Sequence, residues 1–294
     1  MINNILAVIL PVFICIGIGY LLARMEATFS TETVHDLVVN FGTPCLIFSV
    51  LTSMDLDLDF VGRMALAAGS VVGICALIGA VILKISGLSF SSFLPSLMFP
   101  NAGNMGLPLA LFAFGETGLA LAIAFYFVVA VAQVTLGMAI AAGEFSLRPI
   151  FQNPLIYAVL AALLFIYLGV TPPRWLANTT KLLGGLMIPL LLLTLGFSLA
   201  GLKIGGLWRS ACLALLRLTL GFAVGVFVAE LFGFEGATRG VVIMQSAMPV
   251  AVMTYLFALQ FGNEHHDVAG AVVISSVMTL VTLPFLLWYV LPTG

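Results

Sequence analysis

Charged side chains are scarce in this chain of 294 residues. Asp, Glu, Lys and Arg together make up 7% of the sequence, whereas hydrophobic residues make up 62%. A soluble domain carries roughly 25% charged residues. No soluble fold of this length could bury so much apolar surface, so the composition predicts a multi-pass protein of the cell membrane, with the lipid bilayer as its surroundings.

The chain also lacks features that other protein classes need. Its Lys and Arg residues form no basic cluster, which argues against a nucleic-acid partner. The cysteines lie in apolar stretches without metal-ligand spacing, so we predict neither a metal site nor a cofactor. No catalytic Ser/His/Asp set or acidic pair at membrane depth is visible, which argues against an enzyme. A sensor would need a soluble output domain, and no loop in this sequence is long enough to hold one. A channel would normally display a repeated filter or a charged ring, and the sequence shows neither.

Apolar stretches separated by Gly, Pro and charged residues predict ten membrane spans. They lie at residues 4–23, 34–53, 62–84, 91–114, 117–142, 154–170, 177–200, 208–232, 237–261 and 267–291. Residues 1–143 and 154–294 form two halves of five spans, joined by a polar linker at 144–153. Because five is odd, the second half enters the membrane from the opposite side, which predicts an inverted repeat.

The distribution of Lys and Arg over the loops faintly favours an N-terminus outside the cell. Loops on the N-terminal side carry Arg63, Arg174, Lys181 and Arg239, and loops on the other side carry Arg24, Lys84, Arg148, Lys203 and Arg209.

Prolines punctuate matching spans of the two halves. Span four holds Pro108 and span nine holds Pro249, and each proline follows a side-chain amide, Asn104 or Gln245, by four residues. A proline has no N–H and clashes with the preceding turn, so it breaks a helix. In hydrocarbon, the freed backbone groups must face protein or a water-filled cavity. We therefore predict that both spans are broken, with Pro108 and Pro249 at equivalent breaks.

Two broken helices predict a binding site for an anion. Helix N-termini carry about half a positive charge and unpaired N–H groups, and two such ends at the membrane midplane would suit a carboxylate. The candidate substrate-binding residues are Asn101, Asn104, Met105, Gly106, Pro108, Gln245, Ser246 and Pro249. The alternative is that the amides only repair the broken backbone.

Arg217 lies well inside span eight and is the deepest charge in the sequence. It would either bind a carboxylate of a dicarboxylate substrate or extend along its aliphatic stem to the lipid headgroups. No Asp or Glu lies within a turn or two of either break, which argues against sodium coupling, while proton coupling and facilitated diffusion stay open. Ser275 and Ser276 are second-tier candidates, because span ten should lie beside span nine, and Gln133 is a further polar residue on a neighbouring span.

The residues around the two breaks resemble the auxin efflux carrier family, which includes bacterial proteins described as malonate or malate permeases. The fourth-span pattern is similar at Pro100-Asn101 and at residues 105–109, and the ninth-span pattern is similar at residues 245–249. The closing Leu283-Pro284 and the ten-span layout also fit.

This resemblance implies the all-α fold of bile-acid-type sodium symporters. Spans 3–5 and 8–10 would form a transport domain in which spans four and nine cross, and spans 1, 2, 6 and 7 would form a scaffold that assembles a homodimer. The substrate carboxylate would lie close to Asn101, and the transport domain would slide against the scaffold as an elevator. A sodium-coupled organic-anion symporter of the bile-acid type is the alternative.

The chain departs from the plant members of that family in two ways. Their halves are joined by a long hydrophilic loop, and their third span carries an acid–lysine pair. Here the linker covers only residues 144–153, and residues 64–83 contain no charge. The expected substrate is therefore a small organic anion, a mono- or dicarboxylate, rather than an aromatic molecule like auxin.

Overall fold

The structure, a computed structural model, describes residues 2–25, 34, 36–53, 58–146 and 148–291. This part of the chain is almost entirely helical. The helices are α1 (Ile2–Arg24), α2 (Thr43–Ser53), α3 (Leu58–Ser86), α4 (Phe90–Met98), α5 (Leu107–Ala132), α6 (Met138–Ala142), α7 (Arg148–Gln152), α8 (Pro154–Leu168), α9 (Arg174–Gly185), α10 (Met187–Gly201), α11 (Leu207–Leu231), α12 (Gly236–Ser246), α13 (Val252–Gln260) and α14 (His265–Val290).

Six helical stretches are long and apolar enough to cross a bilayer. They are Ile5–Arg24, Val61–Ser86, Ala102–Ala142, Arg174–Gly201, Leu207–Leu231 and His265–Val290. Two shorter apolar stretches, Val38–Ser53 and Pro154–Leu168, lie between them in the sequence. The prediction of an all-α membrane protein is thus confirmed for the described residues.

The interruption of span four comes earlier than the sequence predicted. Helix α4 ends at Met98, and the next residue, Phe99, has an extended backbone (φ −105°, ψ 114°). A π-helical turn, Ala102–Gly106, then leads into α5. Pro108 is the second residue of α5 and lies just after this π-helical turn, at the end of which the N–H of Leu107 donates to the carbonyl of Ala102.

The predicted equivalence of Pro108 and Pro249 is therefore wrong. Pro249 lies in the break between α12 and α13, whereas Pro108 lies within helix. Pro100 stands opposite the second break, because it forms an isolated antiparallel bridge with Val250. The amide-to-proline spacing misled the prediction, because Pro108 follows a π-helical turn without interrupting the helical run, whereas Pro249 lies between two helices.

Helix α5 contains one non-helical residue, Gly115, with φ 67° and ψ −160°. Side chains disfavour this positive φ, so glycine fits the position. The interruption falls between the predicted spans at 91–114 and 117–142. Farther along, another π-helical turn, Gln133–Gly137, separates α5 from α6.

The helices pack around several close pairs. Helix α1 packs along α10, α2 packs against α8 and α9, α11 packs against α3, α12 and α14, and α12 packs against α5. Glycines allow α1 and α10 to approach closely, because a Cβ on Gly19 would overlap the carbonyl of Leu193 and one on Gly196 would overlap that of Ile16.

Candidate functional site

The two interrupted spans meet at their breaks. The backbone N–H of Asn101 donates to the carbonyl of Pro249 over 2.8 Å, and the N–H of Ala251 donates to the carbonyl of Phe99 over 3.2 Å. Between these bonds, Pro100 and Val250 form the antiparallel bridge. Each extended segment thus satisfies backbone groups that the other has lost from its helix, which membrane-buried backbone requires.

A third helix supports this crossing. The hydroxyl of Ser275, on α14, accepts the backbone N–H of Val250 at 3.1 Å. Ser275 is fully buried, as are its neighbours at the crossing. This second-tier candidate therefore repairs the broken backbone, a role that was the alternative to substrate binding for the amides.

The C-terminal ends of α4 and α12 share one cation. Arg217, on α11, is fully buried with 0% of its surface exposed. Its Nη1 donates to the carbonyl of Leu97 at 2.8 Å, and its Nη2 donates to the carbonyl of Ser246 at 2.6 Å. Helix C-termini carry about half a negative charge and unpaired carbonyls, so a guanidinium between two of them satisfies both needs.

The snorkelling alternative for Arg217 is therefore wrong, since its guanidinium points into the protein. Its contacts give it a structural partner at each terminal nitrogen, and the sulfur of Cys75 lies 3.9 Å from Nη1. A signal for this arrangement was present in the sequence, because two broken helices create two C-terminal ends as well as two N-terminal ends. One buried cation matches two half-negative ends.

The N-terminal ends of the second half-helices have no such counter-charge. The first N–H groups after each break, at Ala102, Gly103 and Asn104 and at Val252 and Met253, precede any acceptor within their own helices. Among the described residues, Arg217 is the only charged side chain in the buried class. These two ends therefore present partial positive charge and free donors to the crossing.

Two amides at the crossing are buried without hydrogen-bond partners among the described residues. Gln245, on the last turn of α12, is 0% exposed, and neither its Nε2 nor its Oε1 is paired. Asn101, in the first break, is 5% exposed, and its Nδ2 is unpaired. Each unsatisfied buried group costs about 1–3 kcal/mol. For these atoms the alternative of backbone repair is wrong, because they bond no backbone group.

The Gln245 side chain lies against the start of the half-helix that follows the first break. A Cβ on Gly106 would overlap Gln245 Oε1, so only glycine leaves the amide room at this position. The predicted residues Asn101, Gly106 and Gln245 are thus brought to one crossing.

The other predicted site residues take different places. Asn104 is partly exposed within the π-helical turn, Met105 is fully buried in the core beside it, and Pro108 is buried in the first turn of α5. The hydroxyl of Ser246 donates to the carbonyl of Val242 at 2.7 Å, so it is used within its own helix. Pro249 contributes its carbonyl to the crossing.

Gln133 is a further buried amide that the sequence analysis ranked low. It is 8% exposed, begins the π-helical turn Gln133–Gly137 and has an unpaired Nε2. The same turn reaches the first break, because a Cβ on Gly137 would contact the ring of Phe99. A buried amide on a span beside the break was the available signal. Among the described residues, no group of three His, Cys, Asp or Glu residues is placed to hold a metal ion.

Comparison with known proteins identifies the family of this chain. A family model described as "Membrane transport protein" matches residues 4–144 and 138–287. The chain belongs to this family of membrane transport proteins. Within the family, it is similar to an uncharacterized transporter of Methanocaldococcus jannaschii (26% identical, 97% of this chain and 98% of the relative). It is also similar to one of Methanothermobacter thermautotrophicus (27% identical, 96% of each chain).

Membership in the membrane transport protein family confirms several expectations from the sequence. The chain is a multi-pass membrane transporter and not an enzyme. The resemblance to auxin efflux carriers is confirmed at the level of this transporter family. The malonate or malate branch, the orientation of the N-terminus and the coupling ion stay predictions.

Proposed function

We propose that this transporter is a secondary carrier for small organic anions, with its substrate site at the crossing of the two interrupted spans. The observation that carries the proposal is the Gln245 amide, which is fully buried and unpaired at both polar atoms beside Gly106. Such a group is costly unless a ligand or water completes its hydrogen bonds. Asn101 and the N-terminal ends of both second half-helices supply further donors for a carboxylate.

The proposed architecture is the inverted repeat of ten spans. The order of helices supports it, because each half has one span interrupted at the crossing, between α4 and α5 and between α12 and α13. The packing of α1 along α10, and of α2 against α8 and α9, supports a scaffold of α1, α2 and α8–α10 beside a transport domain that contains the crossing. In this proposal the transport domain moves as an elevator, and the scaffold forms a homodimer in the bilayer.

The test is uptake of radiolabelled carboxylates into proteoliposomes by the Asn101→Ala/Gln245→Ala double variant. We expect saturable uptake to be lost, because the variant removes both buried amides, while the folded yield stays unchanged. The protein should still fold, because Asn101 Nδ2 and both polar side-chain atoms of Gln245 make no hydrogen bond within the described residues that the substitutions could remove.

The matched control is Asn178→Ala/Gln260→Ala, which removes the same two side-chain types at exposed positions. This control should transport like the parent protein. Unchanged uptake kinetics in the Asn101→Ala/Gln245→Ala variant would place the substrate elsewhere. A sodium gradient and a pH gradient, imposed separately, test the coupling ion.

A further inference from the structure

We propose that a cleft between helices α3, α4 and α11 binds one phospholipid, with an acyl chain inside the cleft and the phosphate on Arg209 at its mouth. The cleft has a volume of about 280 Å³ and lies between the last turn of α3, the start of α4 and the first turns of α11. None of its lining residues belongs to the two breaks at 99–106 and 247–251. The cleft is therefore separate from the crossing, and the proposal does not depend on the transported substrate.

The mouth of the cleft lies where two membrane-crossing stretches reach the headgroup region. Val61–Ser86 ends there and Leu207–Leu231 begins there, and both Ser86 and Arg209 line the cleft. Trp208 also lines it and is 81% exposed, as is typical of an indole at the boundary between headgroups and hydrocarbon. From Arg209 the lining follows α11 to Leu216, which is about 10 Å into the membrane at helical rise.

Below its mouth the cleft is lined by hydrocarbon side chains. Leu83 on α3, Phe93 on α4 and Leu213 on α11 are buried residues of its lining. An empty apolar cleft loses dispersion contacts, and water finds no polar partners in one. An acyl chain is the apolar molecule that the bilayer supplies at this depth, so it is the occupant that this part of the cleft fits.

Arg209 has nitrogens left for a phosphate. Its Nη1 makes both of its ion pairs, with Glu264 Oε2 at 3.3 Å and with Asp267 Oδ2 at 3.6 Å. Within the described part of the chain no hydrogen bond or ion pair reaches its Nη2 or Nε, and the side chain is 59% exposed. Two guanidinium nitrogens on one edge suit two phosphate oxygens. Since α11 begins at Leu207, the partial positive charge of its N-terminus lies at the same mouth.

The two parts of the cleft together select an amphiphilic anion. Free phosphate would leave the apolar lining empty, and a chain without a phosphate would leave the Nη2 and Nε of Arg209 without an acceptor. Basic pockets between membrane helices hold lipid phosphate groups in this way. Phosphatidylglycerol is the probe of choice, because its phosphate carries the one charge of its headgroup.

Cys212 makes the occupancy of the cleft measurable, because it lines the cleft and is exposed. The full chain in dodecyl maltoside is treated with N-ethylmaleimide at increasing phosphatidylglycerol, and modification of Cys212 is followed by peptide mass spectrometry. We expect saturable protection, with modification about tenfold slower when the lipid is at ten times its half-protecting concentration. Arg209→Gln should raise that concentration about tenfold by loss of a charge-assisted contact, and Arg209→Lys should raise it less.

The matched control is Leu215→Cys in a Cys212→Ser background. Leu215 is on the same helix, is 54% exposed and does not line the cleft. Phosphatidylglycerol should leave the modification of this thiol without saturable protection, because only bulk detergent and lipid cover it. Equal protection at both positions, or a half-protecting concentration unchanged by Arg209→Gln, would overturn the proposal.

Glycerol phosphate separates a lipid from a free anion. It carries the phosphate without acyl chains and should leave Cys212 unprotected; protection by it would overturn the assignment to a lipid. As a second measurement, native mass spectrometry counts the phosphatidylglycerol molecules retained by Cys212→Trp, which fills the cleft, and by Leu215→Trp, which does not. We expect one molecule fewer on Cys212→Trp, and equal counts would contradict the site.

Discussion

Arg217 illustrates how a buried charge is explained by its immediate partners. From the sequence, Arg217 could bind a substrate carboxylate or reach the lipid headgroups. Both interpretations paired the guanidinium with a group that is not part of the protein. The structure places it between two carbonyl ends that the breaks themselves create. Its role follows from backbone electrostatics, because each interrupted helix exposes a negative end that hydrocarbon cannot solvate.

A prediction at this scale is that Arg217→Met lowers the stability of the folded protein. The substitution leaves the carbonyls of Leu97 and Ser246 buried without their donors, and each such loss costs about 1–3 kcal/mol. Arg217→Lys should cause a smaller loss, because it keeps the charge but cannot place two separate nitrogens. Thermal unfolding in detergent measures both effects. Lys84→Met, at an exposed position, is the control. An unchanged unfolding midpoint for Arg217→Met would contradict the proposed role of Arg217 in holding the carbonyls of Leu97 and Ser246.

At the scale of helices, much of the fold could be predicted from hydrophobic runs and their punctuation. Helix α11 (Leu207–Leu231) lies within one residue of the predicted span at 208–232, and the non-helical Gly115 falls between the predicted spans at 91–114 and 117–142. The first break was misplaced, because Pro108 was taken as a helix breaker but lies within the helical run that begins at Ala102. Sequence spacing cannot give that distinction, since the pairing of Pro100 with Val250 depends on residues far apart in the chain.

The close approach of α1 and α10 gives a prediction about helix packing. Gly196→Ala would force a Cβ onto the carbonyl of Ile16, so one helix must shift, at a cost of about 1–3 kcal/mol for overpacking. We expect a lower unfolding midpoint in detergent. Gly17→Ala, on α1, is the matched control because its Cβ would meet no atom within 4 Å. Equal midpoints for the two variants would show that these helices are not held together in the way described.

For the molecule as a whole, the described ion pairs lie at or near the surface, and the interior of the described residues holds one cation. Arg209 pairs with Glu264 at 3.3 Å, and Arg239 pairs with Glu230 at 3.2 Å; Arg239 is partly buried, and the other three side chains are exposed. Among the described residues, Arg217 is the only buried charged side chain. The position of Arg217 between two helix ends could have been predicted from the sequence only if the break positions and the packing of α11 were known. Those depend on tertiary contacts between the two halves.

This distribution of charge predicts that transport responds to membrane potential. Over a complete cycle the charges of the protein return to their starting places, so the net charge moved is that of the substrate and any coupled ion. None of the described residues at the crossing is an acid or a histidine that could carry a coupling proton. A monoanion carried alone gains or loses about 2.3 kcal/mol per 100 mV, a factor of roughly fifty in the accumulation ratio.

The measurement is uptake of a labelled monocarboxylate into proteoliposomes under potassium diffusion potentials set with valinomycin at constant pH. An inside-positive potential should accelerate uptake and raise its final level, and an inside-negative potential should do the reverse. Protein-free vesicles control for diffusion of the neutral acid. Uptake that ignores the potential but follows a pH gradient would mean that a proton accompanies each anion. The proton would then have to enter on the substrate or on a group away from the crossing, because Asn101, Gln245 and the helix ends beside them do not titrate.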